Sequence, residues 1–205
     1  MQAPSVLICV LLIVGQSRAW WSQQCCQCKD LDIVSFTGGT DEDDVGPTKR
    51  SVLSAEKSEL LNLHNKYRRL VSDGQIREQP SSSKIHDLKW STELEASAQR
   101  HADTCRFAHD SADARRTPQW DWVGQNIAYS SSIAKNVEMW FDEYKEYNYQ
   151  SNYCSGVCGH YTQLVWANTT HVGCGVSKCN FRGFNAVYVV CNYGPGGNYN
   201  GRRPY

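Results

Sequence analysis

Charge of one sign is missing from this chain: 21 Lys and Arg stand against 21 Asp and Glu in 205 residues. A chain without net charge has no long-range attraction for polyanions, so nucleic acid is not an expected partner. A bilayer-length apolar run is missing too. The longest, Val6 to Val14, falls well short of the roughly 20 residues that a spanning helix needs. With a mean hydropathy of −0.56, the chain is not expected to be an integral membrane protein. It has no internal repeat, no Gly-x-Ser-x-Gly nucleophile elbow, and no two CxxC pairs of the kind that build a zinc ribbon.

What is present begins with the apolar run itself. It sits at the N-terminus and is followed by Ser17-Arg18-Ala19, which resembles a signal-peptidase site after Ala19. Residues 1–19 are therefore expected to be removed, taking Arg18 and Cys9 with them and leaving an odd number of cysteines. Cysteine at this density in an exported chain points to disulfides rather than thiols. Asn168-Thr169-Thr170 is a glycosylation sequon, meaningful on the secretory route and marking Asn168 as the acceptor. The protein is expected to be extracellular.

Residues 20–50 hold Cys25, Cys26 and Cys28 and the acidic run Asp41-Glu42-Asp43-Asp44 without periodicity, and read as a solvated arm. A single domain is expected over 51–205, long enough to bury about 70% of its unfolded surface. Leu60, Leu63, His64, Tyr67, Leu70 and Val71 recur at helical spacing and predict an amphipathic helix ending near Gly74. A second helix is expected from Ser91 as N-cap through Cys105, and a third over Ile133 to Tyr147. Val172 to Lys178 and Ala186 to Asn192 are rich in β-branched and aromatic residues and read as an antiparallel pair. Helices first and strands last make an α+β domain.

Polar residues embedded among apolar ones mark the candidate chemistry. His109, His160 and Glu143 are types that a metal site uses when they converge from separate elements. Cys158, two residues before His160, is a conceivable nucleophile. Disulfide pairing is the stronger reading, because Cys105, Cys154, Cys158, Cys174, Cys179 and Cys191 form a complete even set whose connectivity spacing leaves open.

Gly159-His160-Tyr161-Thr162-Gln163-Leu164-Val165-Trp166 and Val190-Cys191-Asn192-Tyr193-Gly194-Pro195-Gly196-Gly197-Asn198-Tyr199 resemble the two signature motifs of the CAP superfamily, also called SCP/TAPS. His64-Asn65-Lys66-Tyr67-Arg68 is similar to its HN-x-x-R pattern, and the likeness runs over Leu53 to Tyr205 in the flavour of the venom allergens. The resemblance implies an α-β-α sandwich with a small antiparallel sheet between helical layers. It also implies a cleft with two His and two Glu, which fall on His109, His160 and Glu143, with Gln125 where the first glutamate would stand. A neutral amide is a weaker ligand than a carboxylate and no base. Zinc is thus expected to bind weakly at His109 and His160, with Gln125 or Glu143 orienting the rings from behind, and no cofactor is required. Cys174 with Cys191 is the pairing the venom allergens imply.

The resemblance also implies lipid binding, to a sterol or a fatty acid; no enzyme activity is expected, since Gln125 removes a candidate base. Tyr147, Tyr149 and Tyr153 offer flat apolar area with a hydroxyl edge suited to a sterol, and Leu60, Leu63 and Tyr67 would wall a fatty-acid slot between helices. The alternative is a protein-interaction module acting on an extracellular protein target through the polar insert Gln75 to His86, the loop Arg115-Arg116-Thr117-Pro118 and the N-terminal arm. A weak metal-dependent hydrolase ranks third.

Overall fold

The computed structural model describes residues 54–205. The expected leader 1–19, the arm 20–50 with Cys25, Cys26 and Cys28, and the boundary near Ser51 lie outside the described residues.

Helix α1 spans Ala55–Ser72, opened by Ser54, whose side chain accepts from the Lys57 amide, and it buries Leu60, His64, Asn65, Arg68 and Val71. Three of these five are polar, and each must find a partner inside. Helix α2 spans Thr92–Ala102 behind the Ser91 cap. The expectation that it runs through Cys105 is corrected: the Asp103 amide bonds Gln99 O and the Cys105 amide bonds Ala102 O, so the last turn tightens and closes, and Cys105 takes φ +51°. Helix α3 is the single turn Ala112–Arg115. Helix α4 spans Ile133–Asp142, shorter than expected, because from Glu143 to Glu146 the chain tightens into a 3-10 turn. Tyr147 then leaves as extended chain. It opens β3 (Tyr147–Asn148), paired with β4 (Tyr153–Cys154). Helix α5 is Gly159–Leu164.

The main sheet has the order β1-β5-β6-β2. Strands β5 (His171–Phe181) and β6 (Phe184–Gly194) form the expected antiparallel pair, longer at both ends. They join through Arg182 and Gly183, both at positive φ (+52° and +86°), the geometry of a two-residue hairpin turn whose twist matches its strands. β1 (Lys89–Trp90) runs parallel beside β5, and β2 (Gly124–Ser130) antiparallel beside β6 as the edge strand. No expectation had placed a strand at β2.

The strand alternation distributes the core to two faces. Toward α2 point Tyr188 and Val190, packed with Ala98, Ala102 and Ile127. Gly173 and Gly175 lie under the helix backbone, where a Cβ would stand 2.2 Å from Glu95 N and 2.3 Å from Gln99 Cα, so their missing side chains let α2 sit directly on the sheet. Toward α1, α4 and α5 point Val172, Cys174, Val189, Cys191 and Tyr193, against Leu60, Val71, Trp140 and Leu164. This is the expected α-β-α sandwich.

Three disulfides pin it. Cys174–Cys191 joins directly opposite residues of the hairpin, as the family likeness implied. Cys105–Cys179 ties the exit of α2 to β5, and Cys154–Cys158 ties β4 to the start of α5. Cys158 therefore has no thiol to offer as a nucleophile. Among the described residues no helix is long and apolar enough to cross a membrane.

Candidate functional site

The end of α4 meets the start of α5 at Glu143. One carboxylate oxygen, Oε1, bonds His160 Nδ1 at 2.6 Å, and the other accepts the backbone N–H groups of His160 (2.9 Å) and Tyr161 (3.1 Å). An ionised carboxylate only accepts. Nδ1 of His160 is then the donor, and in the neutral ring Nε2 carries the lone pair. Trp140 stacks on the same imidazole, centroids 6.2 Å apart and planes 17° off parallel, and Asn126 donates to the His160 carbonyl at 3.0 Å.

His109 is held by Gln125, whose Oε1 faces Nδ1 at 2.8 Å. The amide is not free to turn. Its Nε2 donates to Asp110 Oδ1 and to Asn192 Oδ1, both at 3.0 Å. Asp110 is in turn fixed by Arg115 at 2.7 Å, and Asn192 spends its own amide hydrogens on Ser97. Since the Asp110 carboxylate demands a donor, the Gln125 carbonyl is left for His109, whose Nδ1 must donate to it. Both imidazoles thus have Nδ1 committed to a polar partner behind the ring and Nε2 uncommitted, the arrangement in which outer partners orient metal-binding histidines. Asp110 and Asn192 are residues the sequence reading missed. Asp110 had one available signal, its place beside His109.

The two histidines are held from successive residues of the edge strand, His109 from Gln125 and His160 through Asn126. Three ligand atoms from His109, His160 and Glu143 do not come within 4.8 Å of one another; among the described residues His64, Cys174 and Cys191 do. That cluster is not a metal site, because its sulfurs are joined in a disulfide. His64 is committed as well: Nδ1 donates to Leu60 O (2.7 Å) and Nε2 accepts from Tyr193 Oη (2.8 Å). Burial pushes its pKa down to about 4, so it is neutral at physiological pH. The Tyr193 hydroxyl accepts from Asn126 at 3.1 Å, and desolvation raises its pKa. The first-helix motif is therefore structural. Asn65 pairs with both backbone groups of Leu88, and Arg68 donates to the carbonyls of His86, Leu164, Trp166 and Thr169.

Beside His160 opens a groove of about 360 Å³, lined by the buried Ile127, Ala128 and Trp140, the exposed Phe107, Tyr129 and Met139, and the polar pair His160 and Glu143. His109 lies outside its lining. Met139 and Tyr129 carried no sequence signal as a site. Of the residues expected to contact lipid, Tyr147 and Tyr153 line a separate depression of about 550 Å³ whose other walls are mostly polar, including Glu78, Lys145 and Glu146. Tyr149 stacks on Tyr205 at 4.7 Å and donates to its carbonyl. Leu60 belongs to the core at 1% exposure, so it walls no open slot. Tyr67 stacks on Phe141 at 4.2 Å, and with Leu63 it reaches a surface hollow whose rim carries Lys66, Lys135 and Glu138.

The loop proposed for protein contacts is also corrected in part. Arg115 is buried, bonded to Asp110 and to the Val123 carbonyl, because it braces the Gln125 network. Arg116 is exposed and paired with Asp113. Asn168 sits exposed in the turn after α5.

A disulfide-bonded α-β-α sandwich with two buttressed histidines at its sheet edge is the class that these features define. Residues 61–193 match the cysteine-rich secretory protein family, CAP, and the chain belongs to that family. It is 40% identical over 156 residues to scoloptoxin SSD976 of Scolopendra dehaani, covering 73% of each chain. Among solved structures, venom allergen-like protein 4 of Schistosoma mansoni is 35% identical with a TM-score of 0.68, covering 75% of this chain and 95% of that one. NaASP2, solved with Zn2+, is 30% identical with a TM-score of 0.63, covering 78% and 90%.

Proposed function

We propose that the protein is a secreted, non-enzymatic carrier of an amphipathic apolar ligand, a fatty acid or a sterol, taken up in the groove beside His160. The observation that carries this reading is the groove's polarity. Its lining is otherwise aromatic or aliphatic, while His160 and Glu143, bonded to each other, are its one polar pair, which suits one apolar body with one polar head. Its volume falls within the roughly 300–1,000 Å³ of small-molecule sites.

Holding rather than cutting is supported by the chemistry of the cleft. Glu143 has both oxygens engaged by donors, Gln125 has no useful proton affinity, and Cys158 is in a disulfide, so these positions offer neither an unengaged carboxylate base nor a thiol nucleophile.

A divalent ion such as zinc is proposed at Nε2 of His109 and His160, with Gln125 and Glu143 fixing the rings; bound there it would supply positive charge toward the ligand's polar head. The donor chemistry fits. NaASP2 has been solved with Zn2+, and the neutral amide at Gln125 argues for weak holding here. Export is supported by three disulfides, which persist in oxidising compartments, and by the exposed Asn168. Material from a secretory host is expected to lose mass on deglycosylation, and Thr170→Ala to abolish that loss; an unchanged mass in the parent protein would refute modification at Asn168.

The carrier reading is tested by extracting natively purified protein and identifying released lipid by mass spectrometry. Uptake of labelled palmitate and cholesterol is then compared with Met139→Glu, an exposed change that puts a charge on the groove wall. Released lipid and reduced uptake by the variant are expected. Protein free of lipid that takes up neither label sinks the reading.

A further inference from the structure

We infer that the tip of the β5–β6 hairpin, together with the aromatic surface behind it, is a docking site for an anionic lipid bilayer, the route by which the groove exchanges its ligand. The inference extends the carrier reading.

Phe181 and Phe184 face one another across the Arg182–Gly183 turn. Phe181 stacks on Tyr129 with centroids 4.3 Å apart and lies 6.0 Å from Phe107, and Phe107 meets Tyr129 edge-on at 4.7 Å. Phe107 and Tyr129 also wall the groove. An aromatic surface therefore runs from Phe181, beside the hairpin turn, to the groove lining, which also includes Met139. Yet Phe184 is 52% exposed, Phe107 51% and Met139 45%. A contiguous apolar patch of this kind on a folded domain marks a contact surface.

The charge around it selects the partner. Arg182 is exposed at the turn and Arg106 beside Phe107, whereas Lys178 lies on the opposite face of β5, in a hollow with Glu56 and Glu59. Aromatic rings flanked by cations suit the headgroup layer of an anionic membrane, where rings enter the interface and Lys or Arg meet phosphate. One turn amide is paired within the hairpin: the Gly183 N–H donates to Asn180 Oδ1 at 2.8 Å, and the Asn180 side-chain amide donates to Asn185 Oδ1 at 2.9 Å. An amide paired within the hairpin loses no water partner on entering the interface.

The test is flotation of the full secreted chain with phosphatidylcholine vesicles, with and without phosphatidylserine, at low and high salt, alongside Phe184→Ser/Arg182→Ser. Both changed side chains are exposed and lie outside the groove lining, and an unchanged thermal melt checks the fold. The parent protein is expected to float with phosphatidylserine vesicles, to be released by salt, and to lose at least tenfold in affinity in the variant. Absence of flotation, flotation indifferent to phosphatidylserine, or unchanged flotation of the variant overturns the inference, as does a self-association lost in the variant without vesicle binding. Extracted lipid is measured on the same samples. Lipid carried without vesicle attachment sinks docking and leaves the carrier reading standing; attachment by protein that carries no lipid does the reverse.

Discussion

Glu143 holds His160 at both ends of the residue, its Oε1 on the ring Nδ1 at 2.6 Å and its Oε2 on the backbone N–H at 2.9 Å. The imidazole is thereby fixed in tautomer and direction before any ligand arrives. Removing such an outer partner typically costs 10–100-fold in metal affinity. We expect Glu143→Gln to weaken zinc binding by about tenfold or more in calorimetric titration. Zinc heats identical in the parent, Glu143→Gln and His109→Ala/His160→Ala would remove the proposed metal site.

His64 makes stability depend on pH. Its folded pKa is lowered from 6.5 to about 4, so the unfolded chain binds a proton that the folded one refuses. Stability is fully present above pH 6.5 and falls as the pH drops toward 4, by up to about 3 kcal/mol. Urea midpoints measured over that window are expected to fall more steeply for the parent than for His64→Gln. Parallel curves would show that this histidine does not carry the dependence.

Arg68 is buried among backbone carbonyls with no carboxylate in contact among the described residues, and desolvation lowers its pKa to about 10, leaving it charged at neutral pH. Arg68→Met keeps apolar bulk but orphans several buried acceptors, at roughly 3 kcal/mol or more. Chemical denaturation gives the number; a loss under about 1 kcal/mol would mean that water replaces the guanidinium.

The disulfides differ in the loop each closes. Cys105–Cys179 spans 74 residues and Cys154–Cys158 spans 4. By chain entropy, breaking the first with paired serines is expected to cost roughly 4 kcal/mol and the second about 2. Equal losses would mean that native contacts, not the unfolded chain, decide.

How far the sequence could be read follows from which physics is local. α1 and α2 were legible because their apolar residues repeat at helical spacing behind Ser54 and Ser91, and the hairpin because Val172 to Lys178 and Ala186 to Asn192 are β-branched runs with a turn between them. β2 was not. Gln125 and Asn126 at its head are amides held by partners far along the chain, Asn192 and His160, so no alternation of apolar and polar residues announces a strand. The overlong third helix has the same cause. The Glu143 carboxylate is spent on α5, a partner that propensity within 133–147 does not register.

By itself the sequence determined the inward stripe of each helix, the even set of six cysteines in the sandwich and the motifs of the family, since these depend on residue type and short spacing. Tertiary structure alone decided that Asp110 and Asn192 turn the Gln125 carbonyl toward His109, that Leu60 is core rather than groove wall, and that Phe107, Tyr129 and Phe181 form one surface. Those outcomes depend on which distant groups share a few ångströms, and hydrogen bonds and aromatic contacts act over no longer range.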